Sequence, residues 1–105
     1  MKLFKVWANN CVRPKGQRII EAYESDLNEA MDRVYEDALE HGLVDDWDED
    51  GNLDNEKLEA AYAKIRAYWE KNKSLDAGDW MIVEAESISD ITVPNMCAGD
   101  AGIIF

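Results

Sequence analysis

The ten residues Asp45-Asp46-Trp47-Asp48-Glu49-Asp50-Gly51-Asn52-Leu53-Asp54 separate two segments of helical periodicity, and their position decides the order of the fold. Five aspartates and one glutamate cannot be buried together unless something positive lies among them. The stretch is therefore an exposed connection whose complement is a metal ion or a basic partner.

Outward from this loop, the residues before it carry Leu27, Ala30, Met31, Val34, Ala38 and Leu39 at i, i+3, i+4, i+7, i+11 and i+12, the apolar stripe of an amphipathic helix. The pattern predicts a helix from Ser25 or Asp26, with Asp26 and Glu29 at capping-box spacing. His41-Gly42 ends it: glycine supplies the left-handed residue, and Leu43 is placed to pack back on the last turn. The opposite face holds Glu29, Asp32, Glu36, Asp37 and Glu40, with Arg33 its only cation. After the loop, Asp54 is placed as an N-cap with Leu53 and Leu58 as a hydrophobic staple. The second helix runs over 55–72 and buries Leu58, Ala61, Tyr62, Ile65, Tyr68 and Trp69. Its bases Lys64, Arg66, Lys71 and Lys73 answer acids of the first helix if the two pack antiparallel.

The flanks read as strands. Residues 2–8 alternate Phe4, Val6 and Ala8 against Leu3, Lys5 and Trp7, and residues 18–24 resume the period, so a hairpin joins them across a basic loop. Residues 75–79 read as a connection and 80–87 as a third strand, with a short extended piece at 91–93 before Pro94. Ile103-Ile104-Phe105 is too apolar to remain in solvent and is expected to dock. The expected fold class is α+β: one domain over 1–105, a small antiparallel sheet with two helices on one face, in the order β-β-α-α-β plus an extended tail.

Charge is distributed unevenly. The chain carries −12, and residues 21–59 hold sixteen of the 23 acids and two of the eleven bases, a net of −14, leaving +2 for the rest. That region is excluded from binding bare DNA or an anionic membrane directly. Two cysteines, Cys11 and Cys97, do not make a disulfide scaffold and are read as reduced thiols, with pairing left open. No run is long enough to span a membrane and no signal-peptide core is present, so a cytoplasmic location is expected.

From Asp46 the loop resembles an EF-hand calcium loop. Asp46, Asp48 and Asp50 stand at the alternating ligand positions, Gly51 at the sharp turn, Asn52 at the carbonyl position and Asp54 at the ninth. The twelfth position, where that family has a bidentate glutamate, is Lys57. The resemblance implies a calcium-binding helix-loop-helix, and the alternative is a solvated acidic connection. In size, acidity and α+β pattern the chain also resembles the small phage or mobile-element proteins, anti-CRISPR and antirestriction proteins among them, that disable host defence as DNA mimics. That likeness implies a rigid row of carboxylates entering the groove of a nucleic-acid-binding protein. Residues four apart advance about 6 Å along a helix, an interval comparable to that between backbone phosphates. An immunity protein against a basic nuclease would use the same electrostatics.

Catalysis has little support in the sequence. His41 is the sole histidine and sits at a helix end, Cys97 precedes Ala-Gly-Asp in a small-residue tail, and no nucleophile-base pair, zinc cluster or phosphate-cradling loop is discernible. The reading is a non-enzymatic inhibitor with no cofactor that binds a basic protein surface. Glu29, Asp32, Glu36, Glu40, Asp45, Asp46, Asp48 and Asp50 carry the charge, and Trp47, a large ring among acids, is the anchor.

Overall fold

A computed structural model describes residues 1–8, 18–93, 100–102, 104 and 105. Strands β1 (Lys2–Trp7) and β2 (Ile19–Ala22) precede helices α1 (Glu24–Glu40) and α2 (Asn55–Asn72); β3 (Ser74–Asp76) and β4 (Trp80–Ala85) follow, then a 3-10 turn at Ile88–Asp90. The four strands form one antiparallel sheet in the order β2-β1-β4-β3. This is the expected α+β fold with one more strand than the sequence reading. β3 was part of the residues expected to form a connection, because three residues are too few to display a period. It forms because Lys73, in the left-handed conformation at φ 55°, ends α2 and turns the chain back so that Leu75 pairs with Ile82. Asp76 then closes the β3–β4 turn by accepting the Gly78 N–H at 2.8 Å, with Gly78 at φ 102°.

Both faces of the sheet are covered. The helices lie over the face that carries Trp7, Trp80, Ile82 and Leu75, and these join Leu27, Val34, Ile65 and Trp69 in the larger core. Phe4, Val6 and Ala85 form a second cluster with Ile91 and Val93 packed on it. Residues 91–93 therefore cover the sheet without forming the short strand expected there. Alternation in β1 separates two buried faces, and the helix-facing one includes Lys5. Its ammonium lies 4.1 Å from the Trp80 ring and 5.3 Å from that of Trp7, and 3.7 Å from Asp26 on α1. A cation is tolerated there because two aromatic faces and a carboxylate surround it.

α1 begins a residue or two before the expected start. Asp26 is the third helical residue and its carboxylate accepts the Tyr23 N–H at 2.9 Å, so it closes the helix start from within and does not cap it itself. Its C-terminus follows expectation: Gly42 at φ 70° lets Gly42 N–H reach Leu39 O and Leu43 N–H reach Ala38 O. Leu43 itself is exposed, and Val44 packs on the core in its place. α2 has the expected bounds, with Asp54 accepting from the Glu56 and Lys57 amides. Arg66–Glu24, Tyr62–Asp32 and Lys57–Asp45 contacts run in opposite order along the two segments, so the helices are antiparallel.

The C-terminus docks: Ala101 is buried, Ile104 and Phe105 pack on the larger core, and Gly102 N–H donates to Asp76 O. Ile103, Cys11, Cys97 and the basic loop after β1 lie outside the described residues.

Candidate functional site

The acidic loop is held by its own carboxylates. Asp48 Oδ1 accepts the amides of Asp50 and Asn52, both at 2.9 Å, and Asp45 Oδ1 accepts that of Trp47. Asp54 N–H donates to Asp46 O at 2.7 Å, and the Asp46 side chain accepts the Tyr35 hydroxyl at 2.8 Å. Trp47 and Leu53 are bridge partners across the loop, 57% and 51% exposed. Lys57 donates to Trp47 O at 2.9 Å and sits 3.7 Å from Asp45 Oδ2. The chain thus supplies a cation of its own at the position where an EF-hand has its twelfth ligand, and Asp48 and Asp54 are turned toward backbone amides.

The expected partner-binding residues of α1 differ in what they touch. Glu29 lies 3.8 Å from Arg33, whose guanidinium is bound more closely to Asp79, at 2.6 Å. Asp32 accepts the Tyr62 hydroxyl at 2.6 Å. Glu36, Glu40 and Asp50 are exposed and, among the described residues, have no ion pair. Burial and the bond to Asp46 push the Tyr35 hydroxyl up to about 12, and burial followed by the bond to Asp32 raises Tyr62 as well. These two rings, 4.9 Å apart, anchor acids of α1 and the loop to the helix pair, a role the sequence reading missed; Tyr62 was seen only as an apolar stripe member.

Beyond the predicted set, Glu36, Asp37 and Glu40 line an open cleft of about 390 Å3 with Arg33, Ala77, Asp100 and Ala101. His41 Nδ1 is 2.8 Å from Asp37 O and 3.7 Å from Asp37 Oδ1, and Nε2 is 3.5 Å from Asp100 Oδ2. The bond to the Asp37 carbonyl is the main cause of a raised His41 pKa; burial opposes it, and the Asp37, Asp100 and Glu40 charges, each a lesser influence than burial, add to the rise. Asp37 in the last turn of α1 and His41 just after it, four apart, were visible in the sequence; Asp100 joins them only through the docking of the tail.

Among the described residues, no helix is long and apolar enough to cross a membrane. No family model, curated protein or solved structure matches the chain.

Proposed function

We propose that the protein is a non-enzymatic inhibitor that docks on a basic protein surface, the nucleic-acid groove of a host-defence complex being the target class. The observation that carries this reading is the exposed Trp47, held in an ordered acidic loop next to a helix whose Glu36 and Glu40 have no cationic partner among the described residues. Ordinary solvated faces intersperse both signs. Here the bases of α2 meet an acid at the start of α1, through Arg66–Glu24, and one in the loop after it, through Lys57–Asp45, and leave the stretch between Glu36 and Glu40 negative. A fixed carboxylate row steers a basic partner and sets orientation, while a partly exposed indole ringed by acids supplies the desolvated contact and arginine stacking.

The test is competition: labelled duplex DNA is displaced from purified CRISPR effector and restriction complexes by the protein. Expected are displacement that weakens steeply with salt, and its loss in a triple variant Glu36→Lys, Glu40→Lys, Asp50→Lys that melts like the parent. Asp46 and Asp48 are left in place because they hold Tyr35 and the loop turn. Unchanged displacement by the triple variant, or none by the parent, defeats the proposal.

A further inference from the structure

The cleft at the C-terminal end of α1 is lined by four carboxylates, Glu36, Asp37, Glu40 and Asp100, and by one cation, Arg33, which is committed to Asp79 at 2.6 Å. No base occupies the last turn of α1, where the helix dipole favours positive charge. The Asp37 side chain is only 12% exposed, and its Oδ2 has neither accessible surface nor a hydrogen-bond partner. A protonated His41 accounts for the contacts to Asp37 Oδ1 and Asp100 Oδ2 and leaves that buried oxygen unanswered. Stranding a carboxylate oxygen in this way is costly, and a cation placed between the carboxylates removes the cost.

We infer that Asp37, His41 and Asp100 form a binding site for a divalent cation of the zinc class. Their ligand atoms all lie within 4.8 Å of one another. The pair His41 Nε2 and Asp100 Oδ2, at 3.5 Å, already spans the edge of a tetrahedral site, about 3.4 Å for bonds of about 2.1 Å. His41 Nδ1 is engaged with the Asp37 backbone carbonyl, the outer contact that fixes the tautomer and frees Nε2 as a ligand. One imidazole and two carboxylates, with water completing the shell, suit zinc or nickel better than calcium, which prefers six to eight oxygens. His41 and Asp100 are 38% and 74% exposed, so both are within reach of an ion arriving from solvent. Bound metal would tie the C-terminal segment to α1. Glu36 and Glu40 line the same cleft, but the ligands Asp37, His41 and Asp100 are not among the docking residues and metal binding has its own readout.

The test uses the full chain stripped with EDTA, above neutral pH, with Cys11→Ser and Cys97→Ser removing the thiols as competing ligands, titrated with zinc chloride. One ion per chain, a raised thermal midpoint and a shift of the His41 ring nitrogen signals are expected. His41→Gln should weaken binding by roughly 100-fold, the upper end of the effect of losing even an outer partner. Asp100→Asn should do likewise while its metal-free thermal midpoint stays that of the parent, which separates lost binding from lost stability. Equal affinity in His41→Gln, the absence of saturable binding in the parent, or an equal midpoint rise with magnesium overturns the inference.

Discussion

Replacing Lys57 by methionine isolates the internal cation of the acidic loop. Methionine keeps much of the aliphatic stem and removes the hydrogen bond to Trp47 O and the ion pair with Asp45. The Lys57 side chain is 47% exposed, so the pair is worth the surface value of about 0.2–1 kcal/mol, and the hydrogen bond, made at the surface, about 1.5 kcal/mol at most. Together they predict a loss of about 1–2 kcal/mol. With an unfolding entropy of about 2.1 cal/mol/K per residue, 105 residues give about 0.2 kcal/mol/K, so Tm should fall by about 5–9 °C. The assay is thermal unfolding by circular dichroism in EDTA, in dilute buffer and in molar salt. The difference between parent and variant should shrink by roughly half in 1 M salt, where the Debye length of about 3 Å falls below the 3.7 Å pair separation while the hydrogen bond persists. Lys57→Glu, which adds another acid, should fall further. Millimolar calcium should raise the parent's midpoint no more than magnesium does, because calcium would have to displace Lys57. An unchanged midpoint in Lys57→Met, or a calcium-specific rise in the parent, refutes the account of the loop.

Truncating Lys5 to alanine removes a cation held between two indole rings and Asp26 and should destabilise the fold by about 2 kcal/mol, read from the urea midpoint. Ile82→Ala empties a fully buried position on a central strand beneath the helices and should lower stability by about 2–5 kcal/mol in the same assay. Gly42→Ala meets no atom within 4 Å yet forces a Cβ onto φ 70°, so a backbone cost of about 1 kcal/mol is expected, measured by thermal unfolding. The pH dependence follows from Tyr35 and Tyr62, whose raised folded pKa values mean the folded chain keeps protons that the unfolded chain releases near pH 10. Stability should be intact below that pH and decline above it toward about 12 for Tyr35; urea titrations should show a shallower decline in Tyr35→Phe and Tyr62→Phe.

How much was legible in the sequence differs by element. The bounds of α2 were readable because its cap is a side chain four positions before Leu58, the first residue of its apolar stripe, although Tyr68 of that stripe is exposed; the Gly42 terminus of α1 was readable because φ 70° selects glycine locally. The start of α1 was misplaced because Asp26 serves both readings: an aspartate caps a helix or, as here, closes it from its third position. β3 was missed because a three-residue strand is defined by its partner β4 and has no period of its own. In the loop, the spacing of Asp46, Asp48 and Asp50 was plain, but whether carboxylates face an ion, a tyrosine or the backbone depends on what packs behind them.

The sequence by itself determined the α+β class, the two helices, the hairpin and the concentration of negative charge in residues 21–59, since these follow from periodicity, caps and counting. Only the tertiary structure decided that Lys5 faces the helices, that Tyr35 and Tyr62 hold acids of α1 and the loop, and that Asp100 meets Asp37 and His41. Those contacts join residues from 11 positions apart, Tyr35 and Asp46, to 75 apart, Lys5 and Trp80, so no helix or strand period records them. They exist because burying apolar faces against one another carries the polar groups attached to them into contact.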